Sequence, residues 1–333
     1  MTEYADRLSQ LSNEQRVLLL ARLQQARAAQ SRPGRIGPAP RDGDNVSLSF
    51  TQERLWFLEQ FAPGTPFNNM SGVARVPVAV DPALFRQCLD DVVQRHDILR
   101  MSFGMNEGIP AGMIAEQVTV PLRVLTDVDD AERDRLFSED ARTPFDLSAA
   151  PLLRVTIAPV GAAECLIQLT MNHLISDGFS NGVFFREFGD LYRARAAGTA
   201  PALAPLPFQF ADFAWWERQH LEGSEGSQLV KPWTAELAGA PQQLTLPSDH
   251  PRPARMTYRG DRIALSVPDA LFERVQSRSK EHGVTPFVTM LTAFAVVLQR
   301  YSMQDDLVIG VPVANRAFAI AARAIKEYRE QEG

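Results

Sequence analysis

The sequence contains little cysteine, no concentrated positive charge and no long apolar run. Its two cysteines, Cys88 and Cys165, lie in apolar surroundings without the spacing of metal ligands, so we expect reduced core residues in a cytoplasmic protein. A formal net charge of −6 with no basic run argues against a nucleic-acid partner. No apolar stretch is long enough to span a bilayer or to act as a signal peptide, which predicts no membrane partner.

The composition is that of a globular protein, with 45% hydrophobic and 22% charged residues. A length of 333 residues predicts two lobes or domains. Residues 1–45 look separate from the rest. Ser12 and Gln15 form a capping box that predicts a helix over 13–29, and the Pro-, Gly- and Arg-rich stretch 31–44 predicts a flexible linker. This region is either an N-terminal extension or a short helical segment that contacts an upstream protein of an assembly line.

The stretch from Met171 to Ser180 connects a predicted strand to a predicted helix. Residues 164–171 form a short apolar and β-prone run. Aromatic and aliphatic residues then recur at helical spacing from Phe184, and the helix is predicted to end at Gly198. His173 would therefore lie where the backbone amides of a helix start can stabilise negative charge, with Asp177 available to fix the turn. The alternative is a histidine that is merely satisfied within a tight loop.

Several further elements follow from periodicity. Leu55, Leu58 and Phe61 predict a helix that buries one face, 67–80 and 153–160 predict strands, and 82–94 predicts a helix. The buried side of that last helix is expected to carry Leu84, Phe85, Cys88, Leu89, Val92 and Val93.

Beyond a Pro-rich passage at 247–253, a second group of elements is predicted. Residues 258–267 alternate as a strand, 269–282 form a helix, and 305–316 form a core strand with its exit. The helix predicted over 287–301 is apolar almost all round, which favours a buried position.

Five segments, in order, resemble the condensation domains of nonribosomal peptide synthetases, members of the chloramphenicol acetyltransferase superfamily. They are the segment with Gln52, Arg54, Leu55 and Trp56; Arg95-His-Asp-Ile-Leu-Arg100-Met-Ser-Phe103; Thr143 to Arg154; His173-Leu-Ile-Ser-Asp177-Gly178; and Phe210-Ala-Asp-Phe-Ala-Trp-Trp216. The Trp215 and Trp216 positions are expected to serve packing. Asp146, in the third of these segments, is expected to order a turn.

The resemblance implies an α/β fold of two chloramphenicol-acetyltransferase-like lobes that meet as a V around a channel. The first lobe would be complete over 46–220, a connecting segment would follow over 221–257, and the second lobe would be partial over 258–316. Three later family segments are not found after Arg316, so the second lobe is expected to be truncated and 317–333 to be an unrelated helical tail. The missing segments would ordinarily cover the helix over 287–301.

The resemblance also implies amide formation, in which an acceptor amine attacks a carrier-bound acyl or aminoacyl thioester. His173 would deprotonate the amine or stabilise its developing charge, and Gly178 would let a backbone amide approach the oxyanion. Asp177 is expected to be structural and to pair with Arg95, while Arg100 would make a second structural contact. Either arginine could instead be an ordinary surface residue.

In the family a pair of histidines is usual at this loop, and Asn172 replaces the first of them here. We expect altered support of the loop, because an amide can both donate and accept hydrogen bonds, with His173 retained. No metal and no bound cofactor are implied. The substrates would arrive on the phosphopantetheine arms of donor and acceptor peptidyl carrier proteins, with an adjacent synthetase polypeptide as a further possible partner.

Two other classes of function stay open at this stage. One is a non-catalytic remnant or carrier-docking module, which the missing segments and the unrelated tail favour. The other is a relative that uses the same loop differently, such as an epimerization domain or an ester-forming acyltransferase. The substrates and their stereochemistry have no signature in the sequence.

Overall fold

The computed structural model describes residues 36–41, 43, 45–161, 163–251 and 263–311. The helix predicted over 13–29 and the tail predicted over 317–333 lie outside these residues. The chain divides into two units, Met1–Gly226 and Ser227–Gly333, each of which is described by itself.

Two sheets form the frame of the first unit. The smaller one has the order β1-β4-β3, with all strands antiparallel, and the larger one has the order β2-β7-β6-β5, in which only β5 and β6 run parallel. The strands are β1 (Asn45–Ser47), β2 (Asn69–Val76), β3 (Met101–Asn106), β4 (Ile109–Ile114), β5 (Leu122–Val124), β6 (Leu153–Val160) and β7 (Glu164–Asn172). The strands predicted over 67–80, 153–160 and 164–171 are therefore confirmed as β2, β6 and β7.

Strand β7 lies inside the larger sheet and is paired along both edges. Its register sets Asn69 opposite Asn172 on one side and Leu153 opposite Met171 on the other. Because both edges are hydrogen-bonded and most of its residues are buried, the strand has little freedom to shift. The end of β7 therefore gives a fixed point from which the next residue, His173, projects.

The described residues of this unit form five α-helices, and a short 3-10 helix over Asp97–Arg100 precedes β3. The helices are α1 (Phe50–Phe61), α2 (Pro82–Arg95), α3 (Asp130–Arg142), α4 (Gly178–Ala196) and α5 (Phe210–Leu221). Short polar residues cap several of them: Ser49 forms a capping box with Gln52 at α1, and Asp81 caps α2.

Helix α2 buries the face that its sequence predicts. Its buried residues are Phe85, Cys88, Leu89, Val92 and Val93, while Leu84 is partly buried against the same core. The helix packs on α4, where the Phe85 and Phe188 rings lie 4.5 Å apart between centroids. Burial raises the pKa of the Cys88 and Cys165 thiols, which fits the predicted role of both cysteines as core residues.

Helix α1 departs from the expected apolar face. The prediction that Leu58 and Phe61 are buried is wrong, because the two side chains are 45% and 82% exposed. The buried residues of α1 are Gln52, Leu55, Trp56 and Glu59. The buried face of the helix therefore includes the polar side chains of Gln52 and Glu59 instead of Leu58 and Phe61. These two polar side chains can be buried because both are hydrogen-bonded to the loop after β7.

Part of the predicted flexible linker is attached to the first unit. The Ala39 amide donates to Asp212 Oδ1 at 2.8 Å, and Arg41 Nη2 lies 3.0 Å from Asp97 Oδ2. Asp212 belongs to α5 and Asp97 to the 3-10 helix. Residues 36–41 therefore follow the surface of the unit between two fixed contacts.

Helix α6 (Ser224–Glu236) crosses the boundary between the units, and α7 (Asp269–Glu281) and α8 (Pro286–Ser302) belong to the second unit. The predicted positions of α7 and α8 are confirmed. Thr285 caps α8 by accepting from the Val288 amide at 3.3 Å, and the Ser279 and Thr289 hydroxyls join the two helices at 2.7 Å. Ser279 is the single buried residue among the described residues of this unit.

The prediction that α8 is buried is wrong. None of its residues is buried, and Phe294 is 52% exposed. A helix that is apolar on all sides is buried only if other elements pack around it. Within the described part of this unit, α7 is the one element that makes extensive contact with α8. The predicted strands are also absent where they can be checked, since the described residues 263–267 and 305–311 form none. A strand requires backbone hydrogen bonds to a neighbouring strand, and none of these described residues is paired in a sheet.

Within the described ranges, no helix taken singly has the length and hydropathy to cross a membrane. Helices α7 and α8 meet that test only as a pair, with a bend of 103° between them.

Candidate active site at the loop after strand β7

The loop that carries His173 is short and is held at its backbone. It joins the last residue of β7, Asn172, to the first residue of α4, Gly178. The His173 amide donates to the Asn68 carbonyl at 2.8 Å, and the Ile175 amide donates to the Asn172 carbonyl at 3.1 Å. The first bond extends the pairing of β2 with β7 by one step, so that His173 is fixed by the sheet itself.

The His173 imidazole has a defined tautomer. The side chain is exposed, and Nδ1 lies 2.8 Å from the backbone oxygen of Ser176. Since a carbonyl oxygen only accepts hydrogen bonds, Nδ1 must be the nitrogen that carries the proton. Nε2 of the neutral ring is then unprotonated. It is a nitrogen that can accept a proton from a bound molecule.

Asn172 supports the loop from within. Its side chain is buried, its Nδ2 donates to Glu59 Oε1 at 3.1 Å, and its Oδ1 accepts from the Leu174 amide at 2.9 Å. The second of these bonds passes over His173 and joins the residues on either side of it. The altered loop support expected from Asn172 thus takes the form of one bond to a helix and one across the turn.

Helix α1 supplies two contacts that were not predicted from the sequence. In addition to the bond from Asn172 to Glu59, Gln52 Nε2 donates to the Leu174 carbonyl at 3.0 Å. Gln52 and Glu59 are seven residues apart, which places them on the same helix face two turns from each other. The signal in the sequence was a polar residue at each of two positions that share a face with Leu55 and Trp56.

Asp177 and Gly178 form the start of α4. Asp177 is the N-cap, and its Oδ1 accepts from the Ser180 amide at 2.6 Å, so it has the structural part predicted for it. Gly178 is exposed at the first helical position, and a β-carbon there would meet no other atom within 4 Å. The amide of a first helical residue has no carbonyl of its own helix to bind. Such an amide suits an oxygen that becomes negatively charged.

The predicted pairing of Arg95 with Asp177 is wrong. Arg95 Nε lies 3.1 Å from Glu187 Oε2, and its Nη2 donates to the Ala204 carbonyl at 2.6 Å. Arg95 ends α2, whose ring contact and ion pair with α4 lie at Phe188 and Glu187 rather than at the start of that helix. Glu187 is ten residues beyond Asp177, or about 15 Å along the helix axis. Arg95 therefore supports the site through the body of α4.

A histidine completes this cluster. His96 Nε2 lies 2.6 Å from the same oxygen of Glu187, whose side chain is only 10% exposed. Burial by itself would raise the pKa of Glu187, but hydrogen bonds and charge from His96 and then from Arg95 outweigh it. The pKa of this carboxyl therefore lies below its usual value. The cluster ties the end of α2 to α4 with a charged carboxylate at its centre.

Arg100 makes the structural contact expected of it. The residue is buried, its Nη2 lies 2.7 Å from Asp97 Oδ1, and its Nη1 donates to the Ala115 carbonyl and, at 3.0 Å, to the Glu116 carbonyl. These bonds join the 3-10 helix to the chain just after β4. None of these bonds reaches the loop after β7, so the part that Arg100 plays is structural.

The other family-like segments are also structural. Asp146 Oδ1 accepts from the amide and the hydroxyl of Ser148 at 3.0 and 2.7 Å, which orders the turn before β6 and lowers the pKa of Asp146. Trp216 is buried and its ring lies 4.4 Å from the His220 ring. Trp215 is partly buried. The predicted packing role of these aromatic residues is thus supported.

Two observations bear on what the site could bind. Asn68, whose carbonyl holds the His173 amide, is buried, and its Nδ2 has no hydrogen-bond partner among the described residues. The residue that fixes His173 therefore also carries an unpaired side-chain donor. Across the described part of the chain, no group of three or more His, Cys, Asp or Glu residues has the arrangement of a metal site.

Comparison with known proteins gives a consistent result. The family model of the condensation domain matches residues 43–326, which is most of the chain and extends ten residues beyond Arg316. Phosphinothricin tripeptide synthetase PhsC of Streptomyces viridochromogenes is 40% identical over 323 residues. That match covers 95% of this chain but only 30% of the synthetase, so the chain spans less than a third of this relative.

Solved structures resemble the chain as well. The X-domain from teicoplanin biosynthesis is 28% identical with a TM-score of 0.76, over 86% of this chain and 64% of that one. The first condensation domain of the CDA synthetase, at 19% identity and a TM-score of 0.68, shares the fold over 83% of this chain and 67% of its own. The mixed α/β fold predicted from the sequence is confirmed. The chain belongs to the condensation-domain family.

Proposed function

We propose that this chain catalyses amide formation between a carrier-bound acyl or aminoacyl thioester and an acceptor amine in nonribosomal peptide biosynthesis. The observation that carries the proposal is the state of His173. Its exposed side chain is fixed in the tautomer that leaves Nε2 unprotonated, through the bond from Nδ1 to the Ser176 carbonyl. Membership of the condensation-domain family and the likeness to a tripeptide synthetase support the same reaction.

In the proposed reaction the acceptor nitrogen attacks the thioester carbonyl carbon. The new C–N bond forms while the carbonyl oxygen gains negative charge, and the ammonium proton passes to His173 Nε2. The C–S bond then breaks, and the departing thiolate receives that proton from His173. The products are the amide and a free thiol on the donor arm, and His173 is again neutral.

The start of α4 would contribute to the same reaction. The Gly178 amide, together with the positive end of the helix dipole, would stabilise the oxyanion of the tetrahedral intermediate. Asp177 would keep this helix start intact, because its side chain satisfies the Ser180 amide. The proposed reaction uses neither a metal nor a resident cofactor, because both thioesters would arrive on phosphopantetheine arms of peptidyl carrier proteins.

The proposal is tested by reconstitution. A donor carrier protein loaded with an acyl or aminoacyl thioester is mixed with an aminoacyl acceptor carrier and the chain, and the product on the acceptor is followed by mass spectrometry. We expect transfer of the donor group to the acceptor amine. If no donor group moves while both carriers bind, the amide-forming proposal is wrong.

A second candidate is a docking function without catalysis. The X-domain structures are 28–29% identical to this chain, whereas the CDA condensation domain is 19% identical. One of those X-domains forms a complex with OxyB from teicoplanin biosynthesis. Binding of a carrier or of an accessory protein, with no transfer in the reconstituted assay, would favour this candidate.

A further inference from the structure

The geometry points to Glu59 as a positioning residue for His173. We infer that its carboxylate fixes the orientation of the Asn172 side-chain amide, and that this orientation holds the turn on which the imidazole is mounted. The inference rests on the proposed function for its effect on rate. Its structural content can be tested without any activity.

Chemistry decides which way the Asn172 amide faces. An asparagine side chain has a donating end and an accepting end that are nearly equal in shape, so its orientation is set by its neighbours. An ionised glutamate only accepts, and Glu59 Oε1 lies 3.1 Å from Asn172 Nδ2. The carbonyl end, Oδ1, is then available to accept the Leu174 amide, as it does at 2.9 Å.

This arrangement spans the backbone of His173 and leaves its side chain exposed. The bond from the Leu174 amide to Asn172 Oδ1 spans the residue between them, and Gln52 holds the Leu174 carbonyl from the same face of α1 that carries Glu59. Without the acceptor at Glu59, the Leu174 amide alone would hold the Asn172 side chain, and the buried NH2 group would lose its partner. The turn would then be fixed less firmly.

The buried position of Glu59 favours a specific hydrogen-bonding role over a role in general packing. Its side chain occupies a buried position on α1 while the neighbouring Leu58 is exposed. A buried carboxylate is costly unless it is hydrogen-bonded, so its presence here requires a partner such as the amide of Asn172. Helix α1 thus contacts the loop region through two polar side chains, Gln52 and Glu59. Glu59 binds Asn172, the residue directly before His173.

The test compares Glu59→Leu, which removes the acceptor, with Glu59→Gln, whose amide oxygen can still accept from Asn172 Nδ2. Gln60→Leu is the matched control, because Gln60 is the next residue on the same helix and is exposed. Nitrogen-15 NMR of selectively labelled histidine reports the tautomer of His173. We expect the wild type, Glu59→Gln and Gln60→Leu to keep the Nδ1-protonated form, and Glu59→Leu to show a mixture of tautomers.

Rates are measured on the same proteins. Glu59→Leu is expected to lower the maximal rate of transfer about 10- to 100-fold with little change in KM, because a small displacement of a reacting group is sufficient for such a loss. Glu59→Gln should restore most of that rate. If the His173 tautomer of Glu59→Leu equals that of Gln60→Leu, the inference is overturned.

A second variant keeps the inference testable if Glu59→Leu does not fold. Asn172→Ala breaks the same link from its other end and should produce the same mixture of tautomers. An unchanged His173 signal in Asn172→Ala would overturn the inference on its own. A changed signal in either variant, together with no transfer by the wild type, would uphold the positioning role and count against the proposed function.

Discussion

Arg95 donates from Nε to Oε2 of Glu187 at 3.1 Å, so the arginine that ends α2 is paired with the body of α4. The predicted partner, Asp177, lies at the start of that helix and caps it. The distinction matters for the account of the site. The charged pair holds the helix as a whole, whereas Asp177 holds the turn where the helix begins.

A double-mutant cycle distinguishes the two pairings. Arg95→Ala and Glu187→Ala should each destabilise the protein by about 1–3 kcal/mol, because each leaves a largely buried polar group with fewer partners. The double mutant should lose less than the sum, with a coupling of about 0.5–3 kcal/mol in urea unfolding. Arg95→Ala with Asp177→Asn serves as the control and should be additive. Coupling in the control and none in the first cycle would restore the Asp177 pairing.

Glu187 also predicts how stability depends on pH. Its folded pKa lies below the unfolded value of about 4.3, so its contribution is complete above that pH and is lost as the pH falls through the folded pKa. Glu187→Gln lacks this titration. We expect the difference in unfolding free energy between wild type and Glu187→Gln to shrink from about pH 6 to about pH 3. A difference that stays constant over this range would contradict the role assigned to the carboxylate.

Gly178 offers a test of the oxyanion role. A β-carbon at this position meets no protein atom, so Gly178→Ala should fold and gain up to about 1 kcal/mol from a less flexible unfolded chain. If the thioester oxygen approaches the Gly178 amide, the added methyl group should lower the transfer rate about 10-fold or more. Gly182→Ala is the control on the same helix, since it is also exposed with no atom near its β-carbon. Equal rates in the two variants would remove Gly178 from the site.

The exposed helix α8 predicts association. Its side chains Phe294 and Val297 are 52% and 48% exposed, and apolar surface of this kind favours contact with another molecule. The chain should therefore show concentration-dependent sedimentation. Phe294→Glu with Val297→Glu should reduce it, whereas Thr292→Glu adds charge at an exposed polar position and should not. A chain that sediments as a monomer at all concentrations would contradict this prediction.

The elements of the first unit could be predicted where periodicity and packing agree. Helix α2 carries an apolar residue at every position that the fold buries, and β7 does so at most of them, so their bounds follow from the sequence within one or two residues. The loop between β7 and α4 was recognisable because Asp177 caps the helix and His173 follows the strand directly. These features depend on neighbouring residues in the chain, and such local features can be predicted from a single sequence.

What could not be predicted depends on distant contacts. The partner of Arg95 is 92 residues away, and no spacing in the sequence says which turn of α4 faces the end of α2. Glu59 is buried although its side chain is a carboxyl group, because a residue 113 positions away donates to it. For α8 the apolar composition suggested burial, but composition alone does not supply a neighbour.

The central claim is that His173 accepts a proton or stabilises charge during amide formation. It is tested most directly by the single-turnover rate of donor transfer between two carrier proteins, for wild type, His173→Ala and Asn172→Ala, each checked for folding by thermal unfolding. We expect His173→Ala to reduce the rate by roughly 10²–10⁴-fold while the protein still folds, and Asn172→Ala to reduce it less. Equal rates for wild type and a folded His173→Ala would contradict the account.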